Sequence, residues 1–284
     1  MTGFYNINKP TGANSTRMVS LIKRTTGKKC GHLGTLDPMA AGVLPVAVGK
    51  ATKLFDWFLN KDKKYFAIGL FGTLTDTLDA EGKTLVSEDV NIQKNQIDNV
   101  IHKFKGEICQ TPPQYSSICI NGKRAYELAR DGQNIDLPSR KITVHNLECT
   151  KQISKNLFAF NIHCSAGTYV RSLILDIAKE LNTVATTVCI IRTASGAFEI
   201  DKAYTPEQIE SNQARLVPID EVINLPNLSF NNDNAIRLLN GQTLIYHCEN
   251  GEYLCYNNGK IIGIAVVENN RLKIDINLWE NTND

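Results

Sequence analysis

Apolar residues in this chain recur with two different spacings, which separate predicted strands from predicted helices. Segments 4–7, 64–70, 157–164 and 188–192 have the composition of strands, and in the third of these every second residue is apolar. Segment 198–200 continues the fourth as a further short extended piece. The pattern therefore predicts a sheet assembled from distant parts of the chain.

Helical spacing follows several polar stretches. A helix is predicted from Ser15 or Thr16, either of which is a suitable cap, to Gly27. Further helices are predicted over 92–104 and 122–130, and another runs to Leu181 with Thr168 as its candidate cap. Residues 205–208 form a capping box with proline at the first helical position.

The last sixty residues have a different pattern. Leu225-Pro226-Asn227 is typical of a linker, and a short helix over 235–239 should stop at Asn240-Gly241. Short strands follow, broken at 257–259 and at 268–270. A length of 284 residues fits one large domain followed by a small β-rich module.

Charge is unevenly distributed in the first 55 residues. Asp37 is the first acidic residue of the chain and stands in a basic segment, followed by a proline and framed by Gly31, Gly34 and Gly42. A loop carboxylate in this setting can face a substrate, and the alternative is an ordinary Asp-Pro turn residue. The local excess of positive charge indicates an anionic partner, although a solvated basic face explains it equally well.

Composition excludes several classes of protein. The eight cysteines include no Cys-x-x-Cys pair and no close Cys/His set, so no metal site is expected. The chain has no apolar signal core and no run of about 20 apolar residues that would cross a membrane. We expect a soluble cytoplasmic protein with reduced thiols.

Arg171 occupies an unfavourable place for a cation. It falls in the first turn of a predicted helix, where the helix dipole favours negative charge. A specific anionic partner would offset this, and the alternative is an arginine that points into solvent.

Four groups of motifs, in the right order, resemble the bacterial TruB-type tRNA pseudouridine synthases, which isomerise a uridine in the TΨC loop of tRNA. The resemblance covers nearly the whole chain. Its motifs are Asn8-Lys9-Pro10 with Gly31–Pro38 and Gly42–Pro45, then Lys64-Tyr65 with Thr75–Gly82, then Pro112–Ser116 with Tyr126–Arg130, and finally Gly167–Ser172.

The resemblance implies an α+β pseudouridine synthase fold, a mixed and largely antiparallel sheet flanked by helices and loops. Residues 1–225 would form the catalytic domain, with a thumb-like insertion at about 120–150. Residues 226–284 would form a PUA-like RNA-binding domain. The implied partner is the T-arm stem-loop of tRNA, with no cofactor and no obligatory protein partner.

The resemblance also assigns roles. Asp37 would attack ribose C1′ or uracil C6, or stabilise charge on the ribose, and these routes remain open. Arg171 would pair with Asp37 and keep it ionised, and Tyr65 would remove the proton from C5 or stack on the base. Substrate contacts are expected from Lys9, His32, Gly34, Thr35, Tyr169 and Ile191, with His32 filling the space left by the flipped base. Contacts to the RNA backbone are expected from Arg17, Lys23, Arg24, Lys28, Lys29, Lys123, Arg124, Arg130 and Arg140.

Core packing is the alternative for Tyr65, Tyr169 and Ile191, and a surface position is the alternative for His32. Three other functions compete with the main one. The first is a guide-RNA-dependent relative that acts with protein partners. The second is an RNA-binding or folding chaperone without essential catalysis, and the third is a glycosylase that releases free uracil.

Overall fold

The computed structural model describes residues 1–120, 122–133 and 135–280, and two sheets organise them. The strands before residue 225 are β1 (Gly3–Lys9), β2 (Cys30–His32), β3 (Ala41–Val48), β4 (Lys63–Phe71), β5 (Thr73–Thr75), β6 (Thr84–Ser87), β7 (Gly106–Gln110), β8 (Cys119–Ile120), β9 (Lys123–Arg124), β10 (Arg140–Gln152), β11 (Leu157–Cys164), β12 (Ala185–Ser195) and β13 (Phe198–Glu199). The later strands are β14 (Asn227–Phe230), β15 (Leu244–Ile245), β16 (Gly251–Asn257), β17 (Lys260–Glu268) and β18 (Arg271–Asn277).

Seven α-helices lie between these strands in the described part of the chain. They are α1 (Ser15–Thr26), α2 (Phe55–Leu59), α3 (Lys94–Val100), α4 (Ala125–Arg130), α5 (Val170–Glu180), α6 (Pro206–Glu210) and α7 (Asn232–Leu239). Among the described residues, no helix combines the length and the apolarity that crossing a membrane requires.

The main sheet runs in the order β1-β3-β12-β4-β11-β10-β7, with β2 beside β3 and β13 beside β12. All its pairs are antiparallel except β3 with β12. Because β4 and β12 are central neighbours, residues from positions 63–71 and 185–195 come together although the sequence separates them widely. The α+β fold class predicted from the sequence is confirmed.

The second sheet has the order β14-β16-β17-β18-β15. Phe230, Leu238 and Leu272 are buried in its own core, which α7 covers. A different cluster joins the two sheets, since Phe4 of β1 and Phe58 of α2 pack with Leu254 of β16. The C-terminal module is therefore packed against the main sheet by apolar contacts.

Two helix starts differ from the prediction. The cap of α1 is Asn14, whose side chain accepts a hydrogen bond from the Arg17 amide at 2.7 Å. Ser15 is buried instead, where its hydroxyl bonds to the backbone of Leu36. Thr168 does not cap α5, because its hydroxyl donates to the Ser165 carbonyl at 3.0 Å. Both side chains organise neighbouring loops.

The predicted helix over 92–104 is divided into α3 and a 3-10 turn over Ile101–Phe104. The thumb-like insertion predicted at about 120–150 overlaps β10, which is a full strand of the main sheet from Arg140. The part outside that sheet contains β8, β9 and α4, and its positions 121 and 134 lie outside the described residues.

Candidate active site

A cavity of about 470 Å³ opens where the loop after β2 meets the start of α5 and the strands β4 and β12. Asp37, Tyr65 and Arg171 line it together, from three separate parts of the sequence. Gly34, Thr35 and Tyr169, which are predicted to contact substrate, also line it. This volume suits a small organic group such as a nucleobase with its ribose.

Arg171 binds two carboxylates at the base of this cavity. Its Nη2 lies 2.8 Å from Asp37 Oδ2, and its Nη1 lies 3.4 Å from Asp79 Oδ2. The same guanidinium donates to the carbonyls of Thr77 and Tyr115, at 2.7 and 2.9 Å. The predicted contact between Asp37 and Arg171 is confirmed, with one short contact to Asp37 in place of a two-bond clamp.

Asp79 organises a local turn and also contacts Arg171 of the site. Its Oδ1 accepts bonds from the Thr77 hydroxyl at 2.6 Å and the Glu81 amide at 3.1 Å. The second oxygen remains for Arg171. The Asp79 side chain is 8% exposed, whereas the Asp37 side chain is 38% exposed. Of the two carboxylates, Asp37 is the one that a substrate can reach.

Lys9 holds the Asp37 loop from beneath. Its side chain is fully buried, and its ammonium donates to the carbonyls of Pro10, Ala13 and Pro38 at 3.0, 2.6 and 3.2 Å. Burial lowers the pKa of Lys9 to about 8, and the nearby Asp37 charge opposes this shift. Lys9 was predicted to contact substrate, but it fixes the loop behind the cavity instead of lining it.

Arg192, which the sequence reading did not single out, is the largest fully buried side chain of the site. It donates to the carbonyls of Val43, Thr35 and Gly34, at 2.7, 3.3 and 3.1 Å. These bonds tie β12 to the loop that carries Asp37. The sequence does contain a signal for Arg192, which is a charged residue inside an apolar strand segment. Such a signal indicates buried partners, because arginine is rarely buried without them.

Gly42 makes this arrangement possible. It pairs with Arg192 across the parallel β3–β12 contact, with a φ of +100°. A Cβ at this position would lie 2.3 Å from the Arg192 carbonyl oxygen. Only glycine permits this close approach.

Tyr65 lies opposite Arg192 on the neighbouring strand β4. Burial raises the pKa of the Tyr65 phenol to about 12, although the charge and hydrogen bond of Arg192 act in the opposite direction. The phenol is therefore protonated at neutral pH in this state of the site. The phenol can accept a proton only in its phenolate form.

Of the two residues predicted to contact the base, Tyr169 lines the cavity and Ile191 does not. The backbone of Tyr169 is held by the buried Gln110 side chain, which bonds to its carbonyl at 3.0 Å and its amide at 2.8 Å. Arg140 lies over the Tyr169 ring at 4.7 Å and also bonds to the Gly167 carbonyl. On β12 the cavity is lined by Ile190 and Arg192, not by the predicted Ile191. Alternate strand residues face opposite sides, so Ile191 points away from the cavity.

His32 lies on β2, outside the residues that line the cavity. Its Nδ1 is buried without a hydrogen-bond partner among the described residues. Burial, reinforced by the Arg192 charge, lowers the pKa of His32 below its usual value. The imidazole is therefore neutral at physiological pH.

Most of the basic residues predicted to contact RNA backbone are at the surface. Arg24 is paired with Glu210, and Arg124 donates to the Ser117 carbonyl. Lys28 and Arg140 are partly buried, and Arg140 belongs to the cavity wall. The exposed residues of this set are Arg17, Lys23, Arg24, Lys29, Lys123, Arg124 and Arg130.

Comparison with known proteins gives one consistent family. Residues 23–170 match the family model for TruB family pseudouridylate synthases, N-terminal domain. The chain is 40% identical to tRNA pseudouridine synthase B of Caldanaerobacter subterraneus subsp. tengcongensis, over 95% of this chain and 97% of that protein. It is 37% identical to the protein of that name from Clostridium novyi, over 97% and 99% of the two chains.

Solved structures agree on the fold across both sheets. An H/ACA RNP bound to a substrate RNA containing 2′-deoxyuridine has a chain with a TM-score of 0.71 and 21% identity, covering 99% of this chain and 86% of that one. A chain of the archaeal box H/ACA sRNP Nop10–Cbf5 complex also gives 0.71, with 20% identity and 99% and 87% coverage. Together with the sequence relatives, these matches confirm the fold expected from the motifs. The chain belongs to the TruB family of pseudouridylate synthases.

Proposed function

We propose that this chain isomerises uridine to pseudouridine in tRNA, and that its target is a uridine in the loop of the T-arm. The observation that carries the proposal is the Asp37–Arg171 pair at 2.8 Å in a cavity large enough for a nucleoside. Its relatives with the name tRNA pseudouridine synthase B support tRNA as the substrate.

The reaction breaks the bond between ribose C1′ and uracil N1, turns the base, and joins C1′ to C5. No electrons are gained or lost, so the chemistry requires no cofactor. Asp37 is the proposed catalytic carboxylate, acting as a nucleophile or as a stabiliser of positive charge on the ribose. Arg171 keeps Asp37 ionised when the bound RNA excludes water, because a nearby cation favours the charged form.

Asp79 supports the pair from its other side. With one Arg171 nitrogen near Asp79 and the other near Asp37, the guanidinium plane is fixed relative to both carboxylates. The carbonyls of Thr77 and Tyr115 add to this fixation. The proposed effect is that Asp37 keeps its orientation while the base turns.

Tyr65 is the proposed acceptor of the C5 proton in the last step, and its ring also packs on the base. The raised pKa of Tyr65 means that proton transfer requires the phenolate, whose charge Arg192 would stabilise. Tyr169 and Ile190 complete the walls around the base.

The target base has to leave its stack before it can enter the cavity, at a cost of a few kcal/mol. We propose that His32, neutral and beside the Asp37 loop, fills the space in the RNA loop. The exposed basic residues of α1, β9 and α4 would hold phosphates. Residues 226–284 would act as a PUA-like RNA-binding domain, and we expect no obligatory protein partner.

The test uses the purified chain and a T-arm stem-loop that carries one labelled uridine. We expect pseudouridine as the product with the wild-type protein, and none with Asp37→Ala. Release of free uracil would identify a glycosylase instead. Activity that appears only after other proteins and a guide RNA are added would identify a guide-dependent enzyme.

The chaperone alternative needs a second readout. Binding of the same stem-loop by Asp37→Asn should match the wild-type protein, because Asp37 contributes to the reaction and not to phosphate contacts. Cells that carry only Asp37→Asn should then lack pseudouridine in the T-arm. If the wild-type protein binds the stem-loop but forms no pseudouridine, the proposed function is wrong and the RNA chaperone hypothesis replaces it.

A further inference from the structure

Three side chains of the metal-ligand type meet on the surface near the start of β4. They are Asp62, His145 and His163, and their ligand atoms all lie within 4.8 Å of one another. We propose that they form a binding site for one divalent transition-metal ion of the Zn²⁺ class. The spacing of cysteines and histidines in the sequence predicted no such site, because these residues become neighbours only through the pairing of β10, β11 and β4.

The distances suit a metal with nitrogen and oxygen ligands. One oxygen, Asp62 Oδ2, lies 3.2 Å from His145 Nε2 and 3.7 Å from His163 Nε2. Two ligands in a tetrahedral zinc site, each about 2.0–2.1 Å from the metal, are about 3.3 Å apart. Small side-chain rotations therefore bring all three atoms to one ion.

The backbone presents the two imidazoles on one face. The register of β10 against β11 shifts between Val144 and Asn146, which leaves His145 as the extra residue beside His163. Val144 and Leu147 stay buried on either side of this bulge, so His145 is directed outward. The two imidazole rings lie 4.7 Å apart at 48°.

The segment that carries Asp62 is also fixed. The Asp62 carbonyl accepts a hydrogen bond from the Gly196 amide at 2.9 Å. The next residue, Lys63, is buried and bonds to the carbonyls of Leu59 and Lys61, at 2.7 and 2.5 Å. The three ligands therefore project from a framework that needs little rearrangement to bind an ion.

The donor set indicates which ion binds. Two neutral imidazoles and one carboxylate are typical ligands of zinc and other late divalent metals, and they leave a position for water. Magnesium prefers several oxygen ligands and would find one carboxylate here. Lys64, which pairs with His163 across the strands, adds a positive charge that weakens binding of any cation. The alternative is an Asp–His ion pair that binds no metal.

The experiment uses the full chain, stripped of metal with a chelator and titrated with Zn²⁺ alone while imidazole signals are followed by NMR. The chain has five histidines, so the signals that move identify the site. We expect His145 and His163 to shift together and to saturate at one equivalent of Zn²⁺. Mg²⁺ at the same concentration should move neither.

Variants test the ligands one at a time. His145→Ala, His163→Ala and Asp62→Asn should each weaken Zn²⁺ binding by about tenfold or more. The exposed His102 lies on another element, and His102→Ala should bind like the wild-type protein. Because the three ligands join adjacent strands, Zn²⁺ should raise the melting temperature of the wild-type protein and of His102→Ala, but not of the double variant His145→Ala/His163→Ala.

Two results would overturn the proposal. One is Zn²⁺ binding of unchanged affinity in the double histidine variant, which would place the ion elsewhere. The other is the absence of saturable shifts at His145 and His163, which would leave the cluster as an ion pair. Asp62 and His145 are exposed and His163 is only partly buried, so none of the three belongs to the core, and circular dichroism of each variant checks that it folds.

Discussion

The main sheet and the C-terminal sheet bury different kinds of side chain. Around the main sheet, five charged residues are almost completely buried: Lys9, Lys63, Asp79, Arg171 and Arg192. Within residues 227–280 the only buried polar side chain is Asn257. Burying a charge is unfavourable unless it is paired, so the first region accepts a cost that the second avoids.

The buried charges are concentrated around one cavity. Lys63, Arg171 and Arg192 line it, while Lys9 holds its loop and Asp79 holds Arg171. Four of the five are cations, and most of their partners are neutral backbone carbonyls. Their positive charge is therefore only partly compensated inside the protein. The two sheets therefore differ in that the main sheet gathers buried positive charge around a cavity, whereas the second sheet buries almost only apolar side chains.

A large effect on the rate is expected for Tyr65→Phe, which removes the proton acceptor and keeps the ring. General acid–base catalysis contributes roughly 10²- to 10⁴-fold, and we expect a rate loss of that size in single-turnover pseudouridine formation. Because the folded pKa of Tyr65 is about 12, the phenolate fraction grows as pH rises below that value. The wild-type rate should therefore rise with pH, and the Tyr65→Phe rate should not. Full activity of this variant would dismiss the proton-transfer role.

Arg171→Lys keeps the charge and removes the planar donor set. A lysine cannot serve Asp37, Asp79 and the carbonyls of Thr77 and Tyr115 at once. We expect a rate about 10²- to 10³-fold lower with little change in RNA affinity. Arg215→Lys is the matched control, since Arg215 forms an exposed pair with Glu221 and its variant should turn over normally. Unchanged turnover in Arg171→Lys would contradict the proposed pair.

Leu272→Ala tests whether the second sheet contributes to stability and not to the reaction. Leu272 is fully buried in the core of the second sheet, and truncation of such a leucine lowers the free energy of unfolding by about 2–5 kcal/mol. The single-turnover rate of the folded protein should stay close to that of the wild type. Leu85→Ala, at a leucine that is 62% exposed, should change neither quantity. A large rate loss in Leu272→Ala with intact folding would show that the second sheet takes part in the chemistry.

His32→Gln should have the smallest effect, on the pH dependence of stability. The folded pKa of His32 is lower than its unfolded value near 6.5, so the unfolded chain binds more protons between the two values. The free energy of unfolding of the wild-type protein should thus decrease as pH falls through this window. The free energy of unfolding of His32→Gln should decrease less. His102→Gln, at an exposed histidine, should follow the wild-type curve. Equal slopes for wild type and His32→Gln would contradict the partly buried, neutral imidazole.

The sequence predicted the parts of the site that lie within motifs and missed those that depend on strand pairing. Asp37, Arg171 and Tyr65 were recognisable because each stands in a motif, and an arginine at a helix start suggested an anionic partner. The role of Arg192 was not recognisable from the sequence, because only the pairing of β12 with β3 and β4 places this residue beside Gly42 and Tyr65.

Two further residues show the same limit. Ile191 was chosen where Ile190 faces the cavity, since the side of a strand that a residue faces depends on a register that one sequence does not contain. The role of Asp79 at the site was missed, because its bonds to Thr77 and Glu81 are local, whereas its contact with Arg171 joins positions far apart in the chain.

The central claim is that Asp37 serves the reaction and contributes little to stability. Its most direct test measures single-turnover pseudouridine formation and the free energy of unfolding on the same preparation of Asp37→Asn. We predict no detectable pseudouridine. We also predict a change in the free energy of unfolding within about 1 kcal/mol, because the Asp37 side chain is 38% exposed and Arg171 retains its contact with Asp79. Pseudouridine formed by Asp37→Asn at the wild-type rate would contradict the account.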